Sequence, residues 1–277
     1  MLDSNATDRV LLDPWMLMAS LVRDNKTVKV GNLVACNSYR PPPLHAKMAA
    51  TLDVISRGRL EFGIGAGWKE LEYNAYGYPF PSDVERIEQL AESLQIIKGI
   101  WSNEKYSFSG KYYQVKDIVS YPKPLQEPRP TIWVGSMKGK RKMLEVAAEH
   151  ADGINLAWSF TPAQCRAIFS QLDSLGEAYD RKPETIKRSL GFWTRCFESE
   201  KEMATAIAEN AAKSYLSVEA YEKRIESSLW GTPSTLAQKL REYKELGVTH
   251  AILMLPHKNE IDQIELIGTK VLPEIEK

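Results

Sequence analysis

The feature that most constrains this chain is a regular alternation of strand-like and helix-like segments along its length. Residues 27–35 (TVKVGNLVA) are Val-rich and read as a buried strand. Residues 41–57 read as a helix: prolines suit its start, Leu44, Met48, Leu52 and Ile55 fall at helical spacing, and Gly58 follows as a stop. Residues 59–65 (RLEFGIG) form a strand pattern with Leu60, Phe62 and Ile64 on one face. Asp83 is placed to cap a helix carrying Ile87, Leu90, Leu94, Ile97 and Trp101 on one stripe. The polar-aromatic run KYSFSGKYYQV reads as a hairpin turning at Ser109-Gly110, and Pro122, Pro124, Pro128 and Pro130 mark an extended connector. Further strands are expected at residues 131–135, 153–156, 189–197 and 249–255. Helices are expected at 141–149, after Thr161-Pro162, and at 201–213, 232–246 and 260–270.

Alternation of this kind implies parallel strands joined by helical crossovers. Either a doubly wound sheet or a (β/α)8 barrel satisfies it. Six such strands are counted, with the hairpin as an insertion at about 103–130, whereas a closed barrel needs eight. Strand number alone therefore slightly favours the doubly wound sheet. A chain of 277 residues suffices for one large α/β domain, expected here to span 1–277.

Charge and composition exclude several classes of function. With 36 Lys+Arg against 36 Asp+Glu, there is no electrostatic footprint for nucleic acid or an anionic membrane. No apolar run approaches the roughly 20 residues of a spanning helix. The opening MLDSNATDRVLLD lacks the basic start and apolar core of a signal peptide. Cys36, Cys165 and Cys196 form neither a disulfide framework nor a metal knuckle, and His45, His150, His250 and His257 include no close pair at ligand spacing. No metal is expected, and a reducing, cytoplasmic compartment is.

Three segments carry candidate chemistry. In RLEFGIGAGWKELEYNAYG a strand runs into Gly65-Ala66-Gly67-Trp68, where Gly65 and Gly67 permit positive φ and close approach of a ligand to the backbone. A dinucleotide fingerprint fits Gly63 and Gly65 but fails at Trp68, which stands where a third glycine is needed. A tight turn with no ligand fits the local pattern equally well. In the second segment, Gly135-Ser-Met-Lys-Gly-Lys-Arg-Lys142, four cations crowd a helix start where the macrodipole is already positive. A phosphate on the free backbone N–H groups removes that conflict, whereas a solvated basic turn is the plainer alternative. The third is a strand end with small and polar groups, Leu33-Val34-Ala35-Cys36-Asn37-Ser38-Tyr39-Arg40, at the side of a parallel sheet where active sites lie. Read alone, Cys36 is a small core residue and Asn37 a turn residue. Glu61, opposite the apolar face of its strand, is expected to be ion-paired. His45 and His250 are read as structural or surface residues.

Taken together these segments resemble the luciferase-like monooxygenase superfamily, especially its branch dependent on the deazaflavin coenzyme F420. The matching text runs from NLVACNSYRPPPLHAKMAATLDVISRGRLEFGIGAGWKELEYNAYGYPFP through ERIEQLAESLQIIKGIWSNEKYSFSGKYYQV and YPKPLQEPRPTIWVG to AAEHADGINLAW. The resemblance is close over residues 14–158 and loose beyond. It implies an α/β fold, a (β/α)8 TIM barrel of the luciferase-like type, with the cofactor ring at the C-terminal mouth. It implies a strand bulge near residues 33–36, often with a non-prolyl cis peptide, backing the ring. Cys36 and Asn37 would edge the ring, Ala66, Gly67 and Trp68 would contact it or its ribityl chain, and Gly135, Ser136, Gly139 and Lys140 would hold the phosphate.

The chain also departs from the family pattern. Residues 12–21 already match the helix before the third family strand, so the barrel is expected to be incomplete at the N-terminus. At least one βαβ unit, of about 30 residues, is not in this sequence. A natural truncation, a misplaced start codon or a fragment would each produce this. Open strand edges would need covering, and a homodimer is expected. The activity implied is hydride transfer between coenzyme F420 and a small organic substrate. The alternatives are an FMN-dependent monooxygenase on the same fold and a non-catalytic flavin-binding paralogue. No catalytic residue is assigned, and the substrate is not readable.

Overall fold

The computed structural model describes residues 12–158, 160–256 and 259–276; the N-terminal stretch through residue 11 and His257 lie outside them. By contact density the chain divides into two compact units, Met1–Gly135 and Ser136–Lys277.

In the first unit α1 (Pro14–Asp24) starts on Asp13, whose carboxylate accepts the N–H groups of Trp15 and Met16. The strand expected over 27–35 is interrupted. It is realised as β1 (Val30–Gly31) and β2 (Ala35–Cys36), and residues 27–29 are exposed. Both pair in parallel with β3 (Leu60–Gly65). Gly31 faces Glu61 and Ala35 faces Ile64, so four steps on one strand oppose three on the other. That one extra residue is a β-bulge. Its cause is Asn32, whose side-chain Oδ1 takes the N–H of Gly63 (3.3 Å). The Leu33–Val34 peptide within the bulge is cis.

Leu60, Phe62 and Ile64 are fully buried on one face of β3, as their alternation predicts. Glu61, on the opposite face, is paired with Lys29 (2.6 Å) and accepts the indole N–H of Trp133 (2.7 Å), as expected of it. The helix expected at 41–57 is α2 (Pro42–Ser56), but of its expected stripe only Leu52 is buried. Leu44 is 45% and Ile55 48% exposed, while His45, Ala46, Ala49, Ala50 and Leu52 face inward. Small residues let α2 approach its neighbours closely; the indole N–H of Trp101 reaches the Ala46 carbonyl at 2.9 Å. A short helix, α3 (Glu70–Ala75), precedes the long α4 (Asp83–Ser102). Ser82, not Asp83, caps α4. It forms a capping box with Glu85, and Leu90, Leu94, Ile97 and Trp101 are buried as expected.

The hairpin is β4 (Lys105–Ser109) and β5 (Gln114–Val119), antiparallel, with Ser109 facing Gln114. Its connection therefore spans Gly110 to Tyr113 and is wider than a turn at Ser109-Gly110. The reason is Glu92 on α4, whose carboxylate accepts three consecutive backbone N–H groups, from Lys111 (2.7 Å), Tyr112 (3.0 Å) and Tyr113 (3.0 Å). The proline connector carries no regular structure, and buried Asp53 fixes it by accepting from the N–H groups of Leu125 and Gln126. β6 (Thr131–Ser136) then pairs in parallel with β3, Glu61 facing Thr131 and Ile64 facing Val134.

The second unit holds α5 (Arg141–His150), the fully buried β7 (Gly153–Leu156), α6 (Pro162–Ala178), β8 (Lys187–Cys196), α7 (Glu200–Lys213) and α8 (Val218–Ile225). It continues with β9 (Leu229–Gly231), a strand the sequence reading does not contain, α9 (Pro233–Glu245) and β10 (Val248–Met254). The C-terminal helix expected at 260–270 is split into α10 (Glu260–Leu266), a π-helical turn (Ile267–Val271) and α11 (Leu272–Glu276). β7, β9 and β10 each pair in parallel with β8. Leu190 and Phe192 of β8 are buried toward the helices, Phe192 lying 4.9 Å from Tyr243 of α9. β10 is more exposed than a buried strand, with residues 249–252 open to solvent.

Apart from the β4–β5 hairpin, the strands of both units are parallel, and helices cover their apolar face. The opposite face carries glycines and polar or aromatic side chains: Gly31, Glu61, Gly63 and Gly65 in the first unit, Ser189, Gly191 and Trp193 in the second. Among the described residues no helix is long and apolar enough to cross a membrane, and no His/Cys/Asp/Glu group is arranged to hold a metal.

Candidate active site

The C-terminal ends of β2 and β3 meet. A side chain is tolerated at neither Gly65 nor Gly67, for different reasons. Gly65 does not have positive φ: it is a strand residue, and a Cβ there would stand 2.8 Å from Cγ2 of Val34. Gly67 does, with φ +82°; a Cβ on it would overlap the Tyr73 hydroxyl and stand 2.7 Å from the Cys36 sulfur. Gly67 and Cys36 are thus brought together.

Val34, the centre of the bulge, explains a third glycine. A Cβ on Gly135 would lie 2.8 and 2.9 Å from its two methyl groups. Gly65 on β3 and Gly135 on β6 form a flat seat for the Val34 side chain, and the bulge rests on them. Gly135, read from the sequence as a phosphate-loop residue, is placed under the bulge.

Cys36 is half-buried. Its sulfur lies 3.2 Å from the Tyr73 hydroxyl, and the backbone N–H groups of Ser38 and Tyr39 point at it. Burial raises its pKa, and the Tyr73 hydrogen bond opposes that rise only in part. The fully buried Tyr73 also donates to the Ala66 carbonyl (3.3 Å). Beside it, Tyr39 donates to Glu72 (2.8 Å), and burial, then that carboxylate, push the Tyr39 phenol up. Asn37 is fully buried. Its side-chain N–H donates to the Tyr113 hydroxyl on the hairpin (3.3 Å), and its backbone carbonyl lies 3.3 Å from His45 Nε2. Asn37 therefore sits beneath the strand end. Burial lowers the His45 pKa to about 4, which keeps the ring neutral near neutral pH. Trp68 follows Gly67 on the open side of the loop, 60% exposed.

The loop after β6 is built otherwise. Ser136 is buried and its Oγ accepts the N–H of Gly139 (3.1 Å), closing the loop on itself. Gly139 has φ +57°, and a Cβ there would press on Ile168. Its N–H is committed to Ser136, so it does not point outward as the sequence reading has it. Lys140 is the N-cap of α5, and no side chain caps that helix. Lys138, Lys140, Arg141 and Lys142 are exposed, and Arg141 pairs with Glu145 at 2.9 Å. An uncapped helix start, a serine hydroxyl that among the described residues donates to no partner, and a ring of cations make a donor set suited to a phosphate.

Sequence reading places the bulge at residues 33–36 but misses Tyr73 and Tyr113. The aromatic run Tyr73, Tyr76, Tyr78 and Phe80 is the available signal for the first: Tyr73 packs edge-on to Tyr39 (5.2 Å) and Phe80 (4.8 Å).

Comparison with known proteins shows the family and the fold. The chain is 26% identical to an FMNH(2)-dependent dimethylsulfone monooxygenase of Pseudomonas putida over 263 residues, covering 84% of this chain and 70% of that protein. It is 23% identical to an F420-dependent glucose-6-phosphate dehydrogenase of Intrasporangium calvum over 283 residues, covering 94% and 82%. Its fold matches the coenzyme F420 dependent tetrahydromethanopterin reductase of Methanopyrus kandleri with a TM-score of 0.78 at 18% identity, over 95% of this chain and 88% of that one. The fold is thus the α/β type of the luciferase-like TIM barrels. A family model described as luciferase-like monooxygenase matches residues 3–250, and the chain belongs to that family of oxidoreductases.

Proposed function

We propose that the protein transfers hydride between coenzyme F420 and a small organic substrate. The observation that carries this reading is the meeting of the bulge at residues 33–36 with the Ala66–Gly67–Trp68 turn at the C-terminal ends of parallel strands. When bound, the deazaflavin supplies or accepts the hydride at its ring carbon. The chain's own residues bind and orient. Val34 backs the ring, Cys36, Ala66 and Gly67 line its edge, and exposed Trp68 takes the ribityl chain. Asn37 supports the edge from beneath. Ser136, Lys140 and the uncapped start of α5 receive the phosphate. In this reading 1–277 serves as one luciferase-like domain with the hairpin inserted, working as a homodimer in the cytoplasm; the free state of all three cysteines suits a reducing compartment.

Support for F420 over FMN comes from coverage: the F420-dependent relative aligns over 94% of this chain, against 84% for the FMN-dependent one. The higher identity of the latter, 26% against 23%, favours a second reading, an FMN-dependent monooxygenase. Titrating the purified protein with each cofactor, followed by visible absorbance, separates them. Saturable binding of F420, tighter than that of FMN, is expected. Preference for FMN supports the second reading, and no spectral change with either contradicts both.

A further inference from the structure

We propose that Tyr73 is a positioning residue of the ring site, its hydroxyl locking the Cys36 strand end to the Ala66–Gly67 turn. The inference rests on the ring-site reading above and adds a residue to it. Tyr73 lies on α3, outside both segments that form the site, yet its hydroxyl touches both: it is 3.2 Å from the Cys36 sulfur and 3.3 Å from the Ala66 carbonyl. A phenol has one proton. With that proton on the Ala66 carbonyl, the Cys36 thiol becomes the donor to the phenol oxygen, and both bonds are made at once.

The same hydroxyl occupies the space where a side chain on Gly67 would stand, so it also sets the course of the turn. The ring itself cannot drift: it is fully buried and held edge-on by Tyr39, Tyr78 and Phe80, at 5.2, 6.5 and 4.8 Å. A rigid ring with its hydroxyl between two loop ends fixes their separation, which is what a flat cofactor edge slotted against both requires. Burial raises the Tyr73 phenol well above its ordinary range, so the lock keeps its proton at any working pH.

The test is Tyr73→Phe, which keeps the ring and deletes the lock. In the cofactor-free protein Cys36 loses the hydrogen bond that holds its pKa down, so it should react more slowly with a thiol reagent at neutral pH; Cys165 and Cys196 are buried and make little background. Affinities for FMN and for riboflavin should then fall by the same factor, about tenfold, the loss of a hydrogen bond or two at about 1 kcal/mol each. Unchanged affinities, or weakening confined to FMN, would overturn the proposal. Failure of the wild-type protein to bind F420, FMN or riboflavin would instead overturn the ring-site reading itself. Should Tyr73→Phe unfold the chain, the bond can be read from its other end. Cys36→Ser keeps a partner for the hydroxyl and Cys36→Ala does not, so the serine variant should bind riboflavin more tightly; equal binding would contradict the lock.

Discussion

The turn after β3 and the loop after β6 end the same kind of parallel strand, yet they are held in opposite ways. At the first, every small residue answers to a packed neighbour: Gly67 to Tyr73 and Cys36, Gly65 and Gly135 to Val34. At the second, one hydrogen bond from Gly139 to Ser136 closes the loop, and the next helix starts uncapped among exposed cations. Shape defines one site and charge the other. The ring site should accordingly respond to volume and hardly to salt, and the phosphate loop to charge and salt, with volume mattering there at Gly139.

The harshest way to break the first half of that contrast is Gly67→Val. It forces a β-branched residue to φ +82° and into the Tyr73 hydroxyl. Cofactor binding should fall more than about 100-fold, at 1.4 kcal/mol per decade against strain of about 1–3 kcal/mol plus the overlap. The variant should retain the circular dichroism of the folded protein. Unchanged affinity would remove Gly67 from the ring site.

Lys140→Glu attacks the second half. A charge-assisted bond is worth about 1.5–3 kcal/mol, so FMN and F420 should weaken by roughly tenfold or more, and riboflavin, without a phosphate, much less. The loss should shrink as salt rises. Equal weakening of FMN and riboflavin would return the loop to a solvated basic turn.

A smaller effect concerns the support beneath the ring site. His45 is held neutral, its pKa lowered to about 4 by burial, while in the unfolded chain it is near 6.5. The unfolded state therefore binds the extra proton between those values, and stability falls as pH drops from 6.5 to 4. At about 1.36 kcal/mol per pH unit, that gap bounds the contribution at about 3 kcal/mol. Thermal melts of His45→Gln across that window should show a shallower decline than the wild type; parallel curves would mean His45 is not buried neutral.

Local periodicities were legible in the sequence, and long-range contacts were not. Leu60, Phe62 and Ile64 alternate, and Leu90, Leu94, Ile97 and Trp101 recur at helical spacing, because burial on one face leaves its period in the chain. The break in the first strand leaves no such trace: it depends on Asn32 reaching a backbone N–H 31 residues away. The inward face of α2 escapes because small and polar residues such as Ala46, Ala49, Ala50, His45, Asp53 and Ser56 form most of it, and Leu44 with Ile55 imitates a core stripe on its outer side. At the site, the glycines of the Gly65–Gly67 turn stand out in any reading, but their reasons do not. Gly65 and Gly135 make room for Val34, a protein side chain and not a ligand, and the sequence does not show that seat because strand and loop glycines look alike in one dimension. Tyr73 is invisible because its role lies in two contacts, 37 and 7 residues away.

The measurement that tests the account most directly is the affinity of the wild-type protein for riboflavin against FMN, and for F420 against its unphosphorylated deazariboflavin, at low and high salt. If ring and phosphate are held by separate devices, the phosphorylated member of the preferred pair should bind at least about tenfold tighter at low salt, as a charge-assisted contact requires. That advantage should narrow at high salt while the unphosphorylated member binds unchanged. Equal affinity within both pairs, independent of salt, would contradict the account.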